Sequence, residues 1–359
     1  MTESERLYDV AGVTFGVKLE APWSFMHYTE PVTERIKIAA AGGIVPVMPT
    51  RAGDSEPPRT YVQKRVELPE DYGPHVLDFS QYEPFATDES SKIDFCLTVC
   101  NGQPDEFRQA QKEGQVTKLM SETEVLPYYY VYRWKEGTVF EFEGADRKID
   151  STLFVENGAE SGYLWAGEKM RPYSVIFQIC FALRIMYTYN SWKYKAILMH
   201  SSVIAHNGSA VLFLGTSGTG KSTHSRLWLE NIPGAELLND DNPVLRIEEG
   251  KVNAYGTPWS GKTPCYKQER YELAGCVRLS QAPYNKIKKL SVLQAYGAIH
   301  PSCPPEFAYD SVLYDGVSRF IGKMLSQVPF YHLACLPDAD AARLSCTTLS
   351  GTAYEESGQ

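Results

Sequence analysis

The strongest constraint on this chain is a glycine-rich segment that joins an apolar run to a helical pattern. Gly215 to Ser222 reads Gly-Thr-Ser-Gly-Thr-Gly-Lys-Ser and satisfies the Walker A pattern GxxxxGK[ST]. The apolar run 209–214 before it predicts a strand, and 224–230 after it predicts a helix. A phosphate-binding loop requires this order, because its glycines let backbone N–H groups turn inward toward phosphate oxygens. The segment therefore predicts binding of ATP or another nucleoside triphosphate.

Within the loop, the pattern assigns separate tasks to two side chains. Lys221 can reach the β and γ phosphates, and the hydroxyl of Ser222 can bind the accompanying metal ion, Mg²⁺ or Mn²⁺. A chance match to the pattern is expected in on the order of one per cent of chains of this length, and the strand and helix on either side favour the nucleotide site over chance. The predicted nucleotide contacts are Gly215, Ser217, Gly218, Thr219, Gly220, Lys221, Ser222 and Thr223.

An acidic pair follows the next short apolar run, 236–238. It lies in Asn239-Asp240-Asp241-Asn242-Pro243, which by itself is ordinary turn chemistry. Phosphoryl transfer, however, needs a carboxylate to hold the metal ion that neutralises charge on the phosphates. Next to a phosphate loop, Asp240 and Asp241 are candidate catalytic carboxylates, with Asp241 a candidate metal ligand. Which aspartate is the base stays open.

His200 becomes a candidate through the register of a predicted hairpin. The apolar runs 196–205 and 209–214 are separated by His206 and by Asn207-Gly208, a strong signal for a two-residue turn. Such a turn places His206 opposite Ser209 and, by extension, His200 opposite Gly215. An imidazole at the mouth of the phosphate loop could ligate the metal or contact the transferred group. The alternative is a structural histidine.

The rest of the chain predicts two domains. With 359 residues it exceeds the size at which single cores stop growing, roughly 250 residues. Alternating or aromatic runs at 94–99, 128–134 and 138–142 predict a β-rich N-terminal half. The polar, Gly-containing stretch 156–162 is the candidate boundary. We therefore expect a β-rich domain of unknown role at 1–160 and a phosphate-loop domain at 161–359.

Other segments give weaker expectations. Apolar residues recurring from Val175 to Met186 predict a helix from Pro172 to near Asn190. The apolar segment Val175 to Met186 carries Gln178 and Arg184 and falls well short of the roughly 20 residues that a membrane span requires. The polar stretch 102–114 and the proline-rich stretch 51–59 are predicted loops.

Two further motifs have open roles. Tyr255 to Lys262 has glycines and a lysine that could offset phosphate charge, or could be an ordinary loop. The run Lys286, Lys288, Lys289 is typical of a solvated face.

Composition excludes several classes of protein. Lys and Arg total 35 against 44 for Asp and Glu, giving a net charge of -9, so a nucleic-acid partner is not expected. The polar, acidic N-terminus lacks the pattern of a signal peptide, and no membrane association is expected. The eight cysteines are scattered without metal-ligand spacing, which fits reduced thiols in a cytoplasmic protein. Self-association into a homo-oligomer stays open.

Three segments together resemble a known superfamily. Met199-His200-Ser201-Ser202, Leu212 to Thr223, and Asp240-Asp241 are similar to the superfamily that unites HPr kinase/phosphorylases with phosphoenolpyruvate carboxykinases. The similarity covers roughly residues 196–262. It implies a mixed, twisted α/β kinase core like the C-terminal domain of HPr kinases. It also implies that Lys221 and Ser222 serve phosphate and metal, that His200 lies at the metal or the transferred phosphoryl, and that the aspartates divide metal binding and base catalysis.

The departures from this superfamily limit the functional prediction. A carboxykinase would be longer and would carry substrate-binding arginine motifs that this chain lacks. HPr kinases carry a glutamate beside an Arg-Gly pair, whereas this chain has Ala254-Tyr255-Gly256-Thr257, so HPr is not implied as a substrate. We expect an ATP-dependent phosphotransferase whose acceptor is a hydroxyl of a small molecule or a protein serine. The alternatives are a non-catalytic nucleotide-binding regulatory protein and a carboxykinase-like enzyme.

Overall fold

Two large β-sheets and the helices that cover them form the described part of the chain. The computed structural model describes residues 4–26, 75–88, 92–120, 129–144, 148–167, 170, 172–261 and 263–350. The predicted loop at 51–59 and the side chain of Lys262 lie outside these residues.

The first sheet occupies the N-terminal half, as the alternating runs predict. Among the described residues it has eight strands in the order β1-β2-β5-β10-β9-β8-β7-β6, while β3 and β4 form a separate pair. Within the eight-stranded sheet, β2, β5 and β10 pair in parallel and the other neighbours are antiparallel, while the separate β3–β4 pair is parallel. The strands are β1 (Glu5–Val10), β2 (Val13–Leu19), β3 (Ser24–Phe25), β4 (Val76–Leu77), β5 (Phe95–Asn101), β6 (Thr117–Met120), β7 (Tyr129–Trp134), β8 (Gly137–Glu143), β9 (Ile149–Glu156) and β10 (Ser161–Ala166).

One predicted loop of this half is wrong. The stretch 102–114 contains a helix, α1 (Asp105–Lys112), which begins directly after Pro104. The polar composition of this stretch indicated a loop, although Phe107 and Ala110 are apolar and stand at helical spacing. Both residues are buried in a cluster with Trp134. Tertiary packing of that narrow apolar stripe stabilises a helix that composition alone did not indicate.

A long helix, α2 (Pro172–Ser191), covers the first sheet and matches the predicted span. Its apolar residues Val175, Ile179 and Leu183 are fully buried in the core of that sheet. Strand β10 lies between β5 and β9, so the first sheet extends to Ala166. The division of the chain at residue 160 stays a prediction about folding units. None of the helices in the described ranges has the length and apolarity that a membrane crossing would need.

The second sheet belongs to the C-terminal half and mixes parallel and antiparallel strands. Within the described residues its main path runs β11-β15-β16-β17-β13-β12-β14, and β19 joins β17 to β18. Strands β13, β17 and β19 are parallel. The strands are β11 (Ala196–Leu198), β12 (Ser202–His206), β13 (Ser209–Leu214), β14 (Glu236–Asn239), β15 (Val244–Glu248), β16 (Lys251–Tyr255), β17 (Arg270–Gln281), β18 (Lys286–Lys289) and β19 (Phe330–Cys335). The mixed α/β architecture that we expected is therefore present.

Helices cover both faces of the second sheet. They are α3 (Lys221–Asn231), α4 (Val292–Ile299), α5 (Ser311–Gln327) and α6 (Ala339–Ser350). Alternate residues of each strand face opposite sides. Phe213 accordingly packs with α3 and α6, and Leu214 lies in the cluster formed with α4 and α5. The strand that leads into the phosphate loop is thus buried on both faces.

The β12–β13 hairpin has the predicted turn but a shorter ladder than predicted. His206 pairs with Ser209, and Asn207 and Gly208 both have positive φ, at 49° and 75°, as a type I′ turn requires. Pairing ends at Ser202 with Phe213, so the predicted pairing of His200 with Gly215 is wrong. The chain diverges from β13 because the N–H of His200 donates to the carbonyl of Ser302 at 2.7 Å instead.

The contact between α3 and α6 generates a stability prediction. Burial lowers the pKa of His224 from 6.5 to about 4, and its Nε2 lies 3.0 Å from the Ser345 hydroxyl. As pH falls below 6.5, the unfolded chain protonates first, so the free energy of unfolding decreases until the folded-state pKa is reached. Between pH 7 and 4, the free energy of unfolding measured by urea titration should fall by up to about 3 kcal/mol more for wild type than for His224→Gln. His206→Gln is the control, and parallel pH profiles for wild type and His224→Gln would contradict the prediction.

Candidate functional site

The phosphate loop connects β13 to α3 and is largely exposed. Gly218 and Gly220 have φ of 82° and 102°, angles that side chains with a Cβ rarely adopt. Gly220 caps α3, and no side chain caps the helix, so the first-turn N–H groups are available to an anion. A Cβ at Gly215 would collide with the hydroxyl of Thr219. The backbone is therefore compatible with the phosphate loop that the sequence predicts.

Lys221 points its ammonium into the mouth of this loop. Its Nζ donates to the carbonyl of Gly215 at 2.8 Å and lies 3.1 Å from Nε2 of His200. The residue is only 8% exposed. Burial lowers the pKa of Lys221, and the carboxylate of Asp241 opposes this shift. A buried cation whose two hydrogen-bond partners are neutral would be stabilised by an incoming anion.

His200 links Lys221 to Asp241. Its Nδ1 lies 3.2 Å from Oδ1 of Asp241, and its Nε2 faces the Lys221 ammonium, which can only donate. We assign the proton to Nδ1 on this network, so that Nε2 accepts and Nδ1–H donates. The side chains of His200 and Asp241 are 43% and 33% exposed and can be reached from solvent. The ring is therefore at the loop mouth, although the backbone pairing that led to this prediction is wrong.

Asp240 points away from Lys221, His200 and Asp241, and both oxygens of its carboxylate accept hydrogen bonds. Its Oδ1 accepts from the Ser260 hydroxyl at 2.7 Å and from the Gly261 N–H at 2.6 Å, and its Oδ2 accepts from the Thr263 N–H at 3.0 Å. It is 5% exposed, against one third for the Asp241 side chain. The two adjacent aspartates thus have different environments, a distinction that sequence could not make.

Asn239 and Thr257 shape the acidic turn, and neither was predicted as a site residue. The Asn239 Oδ1 accepts from the N–H groups of Asp241 and Asn242, both at 2.9 Å. Its Nδ2 donates to the Thr257 hydroxyl at 3.0 Å. Asn239, Asn242 and Thr257 are buried, so these hydrogen bonds hold the turn in one conformation. The signal in the sequence was Asn239 as the first residue of an Asx turn.

Trp259 ties the same turn to the N-terminal half. Its carbonyl accepts from the Asn242 N–H at 3.2 Å. Its indole ring is 5% exposed in the core of the first sheet, with ring centroids 5.0 Å from Tyr187 and 6.4 Å from Phe15. The loop that donates hydrogen bonds to Asp240 is therefore attached, through the Trp259 ring, to the core of the first sheet.

The residues present suit a metal ion held mainly through phosphates. The described ranges contain no group of three or more His, Cys, Asp or Glu side chains that could hold a metal by themselves. Ser222, in the exposed first turn of α3, and Asp241 could supply oxygen ligands, and His200 lies beside Asp241. Mg²⁺ commonly takes one or two protein oxygens and completes its shell with water and phosphate. The donor set fits that pattern.

Comparison with known proteins adds little to this geometry. No protein-family model matches the chain, and no curated protein matches it. Among solved structures, the chain is similar to the Hpr(Ser) kinase/phosphatase from Coxiella burnetii, with 14% identity, 43% of this chain and 88% of that chain covered, and a TM-score of 0.26. This similarity is weak, so the assignment of the site depends on the contacts described above.

The anchoring of Trp259 is testable by its effect on stability. Trp259→Ala would leave a cavity in the first sheet and should reduce the free energy of unfolding by about 3–5 kcal/mol. Trp259→Phe, which keeps an aromatic ring in the core, should reduce the free energy of unfolding by less. Urea denaturation measures both. A loss below about 1 kcal/mol for the alanine variant would contradict burial of the indole in this core.

Proposed function

We propose that this protein is an ATP-dependent kinase that transfers the γ-phosphoryl group to a hydroxyl of a small molecule or a protein serine. The observation that carries the proposal is the line of contacts from Lys221 through His200 to Asp241 at the mouth of the phosphate loop. The line joins a phosphate-binding cation to a solvent-accessible acid–base pair. A binding module would need the loop but not this pair.

Binding of the nucleotide uses the loop and Lys221. The free N–H groups of the loop and the first turn of α3 would cradle phosphate oxygens. The Lys221 ammonium would exchange its bond to the Gly215 carbonyl for the more favourable one to a phosphate oxygen. Ser222 and Asp241 would hold the metal ion. When bound, Mg²⁺ or Mn²⁺ neutralises negative charge on the phosphates.

Proton removal from the acceptor falls to the His200–Asp241 pair. Once Lys221 turns to phosphate, Nε2 of His200 is free to accept the hydroxyl proton. The Asp241 carboxylate at Nδ1 then stabilises the charged ring. Asp240 acts differently, because its three hydrogen bonds from Ser260, Gly261 and Thr263 hold the neighbouring loop in place. We therefore assign Asp240 to positioning and Asp241 to chemistry.

The direct test is transfer of label from γ-³²P ATP to metabolite and protein fractions of the source cell. Label should appear in one acceptor with wild type and be lost with Lys221→Ala. Nucleotide binding without any transfer would favour the non-catalytic regulatory alternative. Nucleotide-dependent exchange between oxaloacetate and phosphoenolpyruvate would favour the carboxykinase-like alternative.

Loss of the Lys221 ammonium should weaken nucleotide binding. Lys221→Ala removes the loop cation from the phosphates and should lower ATP affinity at least about tenfold in calorimetry. Lys323→Ala, on the exposed surface of α5, is the matched control and should bind as wild type. Equal affinities for wild type and Lys221→Ala would remove the central claim.

The two aspartates should give different phenotypes when each is changed to asparagine. Asp241→Asn should keep its fold, shift the metal titration to higher concentration and lose roughly 10² to 10⁴ in turnover. Asp240→Asn weakens three hydrogen bonds to a buried carboxylate, so its free energy of unfolding should fall by about 1.5–3 kcal/mol. Label transfer measures the loss of turnover in Asp241→Asn, and urea denaturation measures the loss of stability in Asp240→Asn. Identical phenotypes would contradict the division of roles.

A further inference from the structure

Asn242 closes the acidic turn, and its main chain is held by three partners. Its N–H donates to Oδ1 of Asn239 at 2.9 Å and to the carbonyl of Trp259 at 3.2 Å, while its carbonyl accepts from the Thr257 hydroxyl at 2.7 Å. Pro243, whose φ is fixed by its ring, follows directly. The side chain makes none of these bonds. The main chain of Asn242 therefore holds the turn, and the amide group of the side chain serves another purpose.

The side-chain amide of Asn242 binds the carboxylate of Asp241. Its Nδ2 donates to Oδ2 of Asp241. An ionised carboxylate can only accept, so the nitrogen of the amide, and not its oxygen, must face it. Asn242 is 7% exposed, and leaving a buried amide N–H without a partner costs stability. The folded protein is therefore expected to keep the bond from Asn242 to Asp241.

This bond divides the two oxygens of Asp241 between two neighbours. Oδ2 accepts from Asn242, and Oδ1 lies 3.2 Å from Nδ1 of His200. That separation is at the long end of the range for an N–H···O hydrogen bond, about 2.7–3.2 Å. A small rotation of the carboxylate would therefore break the contact with His200. Since one third of the Asp241 side chain is exposed, water would compete for a carboxylate that no neighbour held.

We infer that Asn242 is a positioning residue whose amide holds the Asp241 carboxylate in the orientation that receives Nδ1–H of His200, a role that rests on the acid–base function proposed above. Proton transfer depends on this orientation, because the hydrogen bond at Nδ1 decides which ring nitrogen carries the proton and so leaves Nε2 able to accept one. Asn239 fixes the main chain of Asp241, and Asn242 fixes its carboxylate. The two asparagines that flank the aspartate pair thus have separate tasks.

The experiment substitutes Asn242 and measures transfer rate and nucleotide affinity separately. Asn242→Ala removes the amide and keeps the main-chain groups that hold the turn. Its initial rate of label transfer from γ-³²P ATP to the acceptor fraction should fall about 10- to 100-fold, because misplacing a catalytic group by about 1 Å can cost on the order of 10²-fold. Its ATP affinity in calorimetry should equal that of wild type, since Lys221 and the phosphate loop are unchanged. Asn253→Ala, in β16 of the same sheet, is the matched control and should transfer label at the wild-type rate.

A double-mutant cycle separates positioning of Asp241 from a general structural effect. If Asn242 acts through the Asp241 carboxylate, adding Asn242→Ala to Asp241→Asn should cause no further loss of transfer rate. A general structural role would lower the rate by about the same factor in both backgrounds. Asn242→Asp keeps the shape of the side chain but replaces the N–H donor by a carboxylate oxygen, so its rate should fall at least as far as that of Asn242→Ala. It takes the place of the alanine variant if that variant does not fold.

Three outcomes would overturn the positioning role of Asn242. They are an unchanged transfer rate in both Asn242 variants, an equal loss of rate in the wild-type and Asp241→Asn backgrounds, and a loss of ATP affinity as large as the loss of rate. Wild-type protein that transfers no label would instead overturn the kinase proposal, and the positioning role with it. A rate that falls in the presence of the Asp241 carboxylate and not in its absence, at constant ATP affinity, is the expected result.

Discussion

The buried amide of Asn239 is the interaction on which the rest of the site depends. Its oxygen accepts two backbone N–H groups of the acidic turn, and its nitrogen donates to Thr257 in the next loop. Buried polar groups are costly unless they are all paired, so this arrangement permits few alternatives. It points Asp240 toward the 260–263 loop and leaves Asp241 facing His200. Two adjacent carboxylates thereby acquire different surroundings.

This turn also joins the two halves of the molecule. Trp259 lies two residues after Thr257, and its ring is packed among aromatic side chains of the first sheet. Any displacement of the first sheet would therefore be felt by the loop that carries the Asp240 contacts. The N-terminal half, which contributes no predicted site residue, nonetheless helps to hold the site in shape.

The charged group at the phosphate loop, the Lys221 ammonium, has only neutral hydrogen-bond partners. Lys221 is held by a carbonyl and by an imidazole nitrogen, both weaker partners than a phosphate oxygen. Next to Lys221, His200 and Asp241 form the pair to which we assign proton transfer.

The amino-acid sequence by itself determined the local features of this protein. The phosphate loop, the Asn207-Gly208 turn, the helix from Pro172 and the β-rich first half follow from glycine positions and apolar periodicity, which act over a few residues. Only the tertiary structure decided which aspartate faces His200, where β12 leaves its partner strand, that 105–112 is helical, and that Lys288 pairs with His332. Each of these depends on contacts between residues far apart in the chain, for example Asp240 with Thr263 or Lys288 with His332. Local propensity carries no information about such partners, because their energies exist only once the sheets have packed.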